Sequence, residues 1–412
     1  VNTTLEKVKM SNGLLLCLDK TDSDFVTISY NINAGSFDEP EDMLGVAHLS
    51  EHLVFKGTLH RTADEIFSDI EILGGEINAY TTETNICFYV TILKEYWENA
   101  LDILFDIVWN NTIPEEEFER EKSVVIEELK MYHDDGKRRI FDLLTKTAYY
   151  DVINKWNNGG TPETVTAINR DQVEYFIDNF YVPENMQIFV TGGIDEQKIK
   201  ERIKWYFKDI EINSNHDNFR NDTIEPQVKS LAEEIDSTQS HMVMYLAIDN
   251  AKTTKEYFIQ EMAKDIFGNG FGSRLMEIRE KYGYAYTIYC DHIFAQPKSL
   301  LYVYIGLNKE NIANTQKLMI SKLNEIANGS ITEKEFFTAK NGLLTTIKSN
   351  KISTSAMNDM RINFLNEQLD FDWDIQKLID EVYTITIRDI ENYYHTLNIE
   401  NVGFITLNQT KD

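Results

Sequence analysis

This sequence predicts an α+β fold of two homologous domains, each a mainly antiparallel sheet with helices packed on one face. Three observations carry the prediction. At 412 residues the chain exceeds what one hydrophobic core usually organises. The segment Ile113–Phe118 (IPEEEF) recurs as Ile331–Phe336 (ITEKEF) 218 residues later, and Arg170-Asp171 recurs as Arg388-Asp389 at the same offset. Nearer the start, Ala79-Tyr80-Thr81 returns as Ala285-Tyr286-Thr287 at an offset of 206, so the connecting loops differ by 12 residues. Duplication of one unit that mixes strand-period and helix-period stretches accounts for all of this.

Taken in order, residues 5–18 and 25–34 alternate apolar and polar side chains and read as strands. The loop 34–40 leads into a helix around residue 50. A second helix at 62–72 ends at Gly74-Gly75. Glu76 to Thr82 and Asn85 to Leu93 read as paired strands with a tight turn between them. Helices follow at 95–109 and 114–133, with more helix to 181. A strand at Gln187 to Thr191 and a helix near 195–207 close the first copy. The polar, aperiodic stretch 213–226 reads as a linker, giving domains at 1–212 and 227–412.

Composition narrows the functions available. A hydrophobic content of 42% suits a globular protein, and no apolar run reaches the ~20 residues of a membrane span. The net charge of −28 argues against nucleic acid or anionic membrane as partners; it suits basic peptides, or simply maintains solubility. The first residues lack the layout of a secretion signal. Cys17, Cys87 and Cys290 are scattered and odd in number, so they form no disulfide framework and point to a reducing compartment such as a bacterial cytoplasm or an organelle matrix.

The chemistry concentrates at His48-Leu49-Ser50-Glu51-His52, an H-x-x-E-H pattern. On a helix, His48 and His52 share one face, so both imidazoles reach one metal ion, and Glu51 falls on that face as a base for a water proton. His48, Glu51, His52 and Phe55 lie within about 100° of one another, while Val46, Leu49, Leu53 and Val54 occupy the other side. Two surface histidines on an amphipathic helix remain the rival reading until a third ligand is found. The helix predicted over 114–133 supplies a candidate. Phe118, Glu121, Val125, Glu128, Leu129 and Tyr132 form its apolar stripe, and Glu127 lies on the wet side. Carboxylates on such a stripe are costly without a cation or hydrogen-bond partners. The phase therefore selects Glu128 as ligand, with Glu121 behind it as a supporting group or as half of a core-edge salt bridge.

Together these strings resemble peptidase family M16, the pitrilysin-type inverzincins, and within it the short-chain branch containing mitochondrial processing peptidase and bacterial relatives. HLSEHLVFKGT at 48–58, LGGEINAYTT at 73–82, EREKSVVIEEL at 119–129 and SRLMEIREKYGYAYTIY at 273–289 carry the resemblance, which covers nearly the whole chain. The family's glutamate ligand follows its motif after about 76 residues, and Glu128 stands 76 residues after His52. The resemblance implies a zinc-dependent endopeptidase acting on unfolded peptides or short polypeptides. Its zinc ligands are His48, His52 and Glu128, and its general base is Glu51. It further implies that the peptide adds as a strand along 73–82, touching Asn78 and Ala79. Arg279 and Tyr286, seven residues apart, would contact the peptide near the scissile bond, the phenol donating to the developing oxyanion.

Relatives of this length pair two chains into a four-domain chamber, so the resemblance implies a homodimer, or a heterodimer with an inactive homologue. In the second copy Glu121 and Glu128 map onto Ala339 and Thr346, and no H-x-x-E-H occurs around 254–270, so one Zn2+ per chain is expected. Gly268–Ser273 (GNGFGS) is a helix-to-helix turn rather than a phosphate loop, since no Lys-Ser/Thr follows it. His60, His133, His216, His241, His292 and His395 lack ligand spacing. A non-catalytic or partner-dependent subunit of a peptide-processing complex is the alternative reading; degenerate ligands would mark it, and all four motif residues are intact here.

Overall fold

The computed structural model describes residues 5–149, 159–210, 225–329, 331–366 and 374–411. The expected linker, 213–226, lies outside the described residues but for its last two. β1 (Glu6–Lys9) and β2 (Leu15–Lys20) form a hairpin where a single strand over 5–18 was expected. Gly13 makes the reversal, with φ +89°, and Met10 N–H bonds to Leu14 O. The apolar alternation runs on through the turn and masks it, although Asn12-Gly13 is a hairpin signal.

β3 (Phe25–Ile32) leads to α1 (Val46–Leu53) and α2 (Ala63–Glu71). Thr62 and Glu65 close a capping box at the start of α2, and Gly74, at φ +74°, ends that helix. β4 (Glu76–Thr81) and β5 (Ile86–Leu93) pair in register, followed by α3 (Trp97–Trp109) and α4 (Glu115–Asp134). The helix expected to continue to 181 is broken into α5 (Gly136–Ala148), α6 (Pro162–Ala167) and α7 (Arg170–Phe180). Asp135, Thr161 and Asn169 each cap a new start. β6 (Met186–Gly192) and α8 (Glu196–Phe207) complete the first copy.

The second copy comprises β7 (Leu231–Ile235), β8 (Ser240–Asp249), α9 (Thr254–Gly268), α10 (Met276–Glu280), β9 (Ala285–Ile293) and β10 (Lys298–Leu307). It continues through α11 (Ile312–Ala327), α12 (Glu333–Asn350), α13 (Thr354–Asn366), α14 (Ile375–Thr384), α15 (Ile387–Thr396) and β11 (Gly403–Gln409). Residues 269–275 join α9 to α10, so the helix-to-helix turn expected at 268–273 lies at that connection.

The sheets run β1-β2-β6-β3-β5-β4 and β7-β11-β8-β10-β9. With β1 set aside the two orders correspond strand for strand, including the parallel pairs β2/β6 and β7/β11. On β3, Val26, Ile28, Tyr30 and Ile32 face the main core, while Thr27, Ser29 and Asn31 point the other way. That other face is covered by α13 of the second copy. Thr354 bonds Thr27 at 2.7 Å, Asn358 bonds Thr191 at 2.7 Å, and fully buried Arg361 meets Asp19 at 2.7 Å. In exchange, α5 of the first copy packs Ile140, Leu144 and Ala148 against Val243 and Tyr245 on the second sheet. α5 and α13 begin 218 residues apart, so the repeat itself contains the exchange.

Candidate metal centre

The chemistry-bearing helix α1 is fixed from its N-terminal side. Buried Glu39 accepts the Gly45 and Ala47 backbone N–H groups at 2.8 and 2.9 Å, occupying donors that no helical carbonyl can reach. Gly45 sits at φ +96°, and a Cβ there would come within 2.5 Å of the Gly159 carbonyl oxygen. Val46, Leu49 and Leu53 then enter the core, so the opposite face, with His48, Glu51 and His52, is turned toward α4 and β4.

His48 Nε2 and His52 Nε2 lie 3.5 and 3.6 Å from the same oxygen of Glu128, Oε2, and the imidazole centroids are 4.6 Å apart. Donor atoms from these three side chains all fall within 4.8 Å of one another. Ligands about 2.0–2.2 Å from one tetrahedral ion stand roughly 3.4 Å apart, so the spacing fits a single Zn2+ on two imidazoles and a carboxylate. The other imidazole nitrogen of His52 is held by Glu121 Oε1 at 2.9 Å. Since a carboxylate only accepts, His52 Nδ1 carries the hydrogen, and Nε2 is the nitrogen turned toward Glu128. Lys56 meets the second oxygen of Glu121 at 2.9 Å.

The cluster favours positive charge. Burial alone would lower His48, yet hydrogen bonds and charge from Glu128 and Glu51 raise it to about 9. Glu128, held chiefly by its hydrogen bond with His48, is lowered to about 2. Burial would raise Glu121, but His52 and Lys56 hold it below the usual carboxylate range. A divalent cation satisfies the same demand more fully than a proton does.

Glu51 is nearly buried, with Oε2 3.6 Å from His48 Nδ1. That oxygen also accepts a 2.5 Å hydrogen bond from the Thr81 hydroxyl at the end of β4. The Tyr132 hydroxyl donates to Glu128 Oε1, leaving Oε2 for the histidines. Sequence reasoning assigned no role to Thr81, Tyr132 or Lys56. Only Tyr132 carried a signal, lying four residues after Glu128 on the same stripe.

A cavity of about 1230 Å³ opens over these groups, walled by β4, α4, α5 and residues 159–163. Its lining carries both signs: Glu83, Asp134, Asp142 and Glu163, and also Lys130, Arg138 and Lys146. β4 is the outermost strand of its sheet, so its outer edge is unpaired among the described residues. Ala79 lines the cavity; Asn78 is exposed and its side chain accepts the Ala79 N–H at 2.8 Å. Arg279 and Tyr286 are not brought to this cavity. Arg279 lies beside Glu280 and the Phe271 ring, and Tyr286 is 79% exposed on β9. The three cysteines are buried free thiols, with Cys17 pushed up to about 12 by burial. No helix among the described residues is long and apolar enough to cross a membrane.

Two family models match the chain: Insulinase (Peptidase family M16) over residues 15–154, and Peptidase M16 inactive domain over 167–343. The uncharacterized zinc protease YmxG of Bacillus subtilis is 27% identical over 401 residues, covering 97% of this chain and 94% of that protein. The mitochondrial-processing peptidase subunit beta of Dictyostelium discoideum is 25% identical over 263 residues, covering 63% of this chain and 56% of that protein. The crystal structure of a protease from Helicobacter pylori superimposes with a TM-score of 0.88 at 19% identity, covering 99% of this chain and 100% of that one.

Proposed function

Because the chain belongs to peptidase family M16, we propose that it is a zinc-dependent endopeptidase cutting unfolded peptides or short polypeptides. One observation carries the reading: His48, His52 and Glu128 converge within ligand distance of a single ion, with the Glu51 carboxylate beside them. The second copy has Ala339 and Thr346 where the first has Glu121 and Glu128, so one Zn2+ per chain follows.

Zinc held by His48, His52 and Glu128 supplies Lewis acidity to a substrate carbonyl and a water molecule. The chain's own residues do the rest. Glu51 takes a proton from the attacking water and passes it to the departing amine. Glu121 fixes the His52 ring through Nδ1, and Tyr132 fixes Glu128 through Oε1. The open edge of β4 receives the peptide backbone as an added strand, with Asn78 and Ala79 at the contact, so selection acts more on extended backbone than on side chains.

Arg279 and Tyr286 lie outside their own chain's cavity and on the surface. This placement supports a dimer in which a second copy presents them to the cavity, Tyr286 donating to the oxyanion and Arg279 holding the peptide.

Metal analysis combined with cleavage of a fluorogenic peptide library, with and without chelator, tests the proposal. One zinc per chain and chelator-sensitive cleavage that returns with Zn2+ are expected. Zinc without cleavage would identify a partner-dependent subunit, and absence of zinc binding would overturn the reading.

A further inference from the structure

α5 turns Arg138, Phe141, Asp142, Thr145 and Lys146 toward the cavity, the i, i+3, i+4, i+7, i+8 pattern of one helix face. Its other face is anchored on the second sheet, so this wall is held in place from behind. Arg138 has an unusual setting. Its guanidinium carbon lies 3.4 Å from the centroid of the Tyr132 ring, and the hydroxyl of that same ring donates to Glu128. One aromatic ring therefore links Arg138 to the candidate metal ligand.

Acids outnumber bases 68 to 40 in this chain, and its arginines are commonly matched: Arg61 meets Asp69, Asp102 and Asp106, Arg274 meets Glu335, and Arg361 meets Asp19. Arg138 has no carboxylate within 4.0 Å among the described residues; Asp135, which caps α5, accepts the Arg138 backbone N–H instead. Asp142, one turn on, is the competing anion. Burial pushes its carboxyl above the usual range, which weakens the competition. A guanidinium stacked by its face keeps its N–H donors free in the plane, the geometry that grips a carboxylate through two parallel hydrogen bonds.

We propose that Arg138 is a specificity-determining residue that receives a carboxylate of the bound peptide. The carboxylate comes from an Asp or Glu side chain or from the free C-terminus, close to the scissile bond. The proposal rests on the peptidase reading and adds a preference to it: the cavity of this acidic protein selects for negative charge at one position.

The test uses the full chain, zinc-loaded, and matched fluorogenic peptides differing in one group. One arm compares Glu with Gln at successive positions on either side of the cleavage point. The other compares a free C-terminal carboxylate with its amide. Wild type should favour one carboxylate peptide by about tenfold in kcat/KM, mostly through KM, as a charge-assisted pair provides. Arg138→Gln should bring that ratio close to one and Arg138→Lys should retain part of it, with zinc content and melting temperature as controls on folding. The arm that responds identifies the source of the carboxylate. A wild-type ratio of one in both arms, or a preference that survives in R138Q, overturns the proposal. Fluorescence anisotropy of the same peptides reads the preference without turnover. A chain that cuts nothing yet loses its carboxylate preference in R138Q would overturn the peptidase reading and keep the Arg138 site.

Discussion

The Thr81 hydroxyl donates to the Glu51 carboxylate at 2.5 Å, tying the end of the edge strand to the candidate proton acceptor. Glu51 is nearly buried and the same oxygen lies 3.6 Å from His48 Nδ1, so this bond helps hold the carboxylate in place. Thr81→Val should lower kcat by about tenfold with KM and zinc content little changed, and Thr81→Ser should restore most of it. Steady-state kinetics with metal analysis reads this. A loss confined to KM would instead place Thr81 in peptide binding alone.

Glu51→Gln keeps the shape of the side chain and removes its basicity. It should retain zinc while losing roughly 10²–10⁴-fold in kcat. Near-normal turnover in a zinc-loaded E51Q protein would refute the base assignment.

Tyr132 and Glu121 hydrogen-bond the candidate ligands Glu128 and His52. Tyr132→Phe and Glu121→Gln should each weaken zinc binding by about 10–100-fold, as loss of outer partners usually does. Competition against a chromophoric chelator measures it directly, apart from activity. Unchanged affinity in both variants would show that the metal needs neither partner.

Acid stability should depend on a carboxylate that does not line the cavity. Glu261 bonds Lys264 at 2.7 Å and lies 3.4 Å from His292 Nδ1. Burial would raise its carboxyl, but His292 and Lys264 hold it at about 2 against an ordinary 4.5. A depressed folded-state value means the contribution is complete above about 4.5 and is lost as pH falls toward about 2. Urea melts of the wild type should show that loss, on the order of 2–3 kcal/mol. Glu261→Gln should be less stable at neutral pH and flatter across the acid range.

Arg361 is 1% exposed and Asp19 is fully buried, so removing one partner strands the other's charge. Arg361→Met should cost about 3–5 kcal/mol, and adding Asp19→Asn should recover much of that. Denaturant titration of the two single variants and the double variant supplies the comparison.

The helical phase of two segments was enough to single out His48, His52 and Glu128, because a carboxylate on an apolar stripe needs a reason to be there. It also separated Glu128 from its outward-facing neighbour Glu127. Thr81 was not legible: nothing in a strand's alternation says that its last hydroxyl will meet a carboxylate 30 residues earlier. The hairpin at Gly13 was hidden by continuous alternation, and the helix breaks near 135, 161 and 169 by capping residues lost in a largely helical stretch. The trade of α5 for α13 was invisible because apolar periodicity shows that a face is buried without showing which sheet buries it.

That trade makes each half the keystone of the other. Were the chain cut between the copies and the pieces kept apart, the first would be left with Ile140, Leu144 and Ala148 bare to water and Asp19 stranded without its cation. The cavity's α5 wall would lose its backing even though every candidate ligand lay within that fragment. The second copy thus acts as the anvil against which the first is braced.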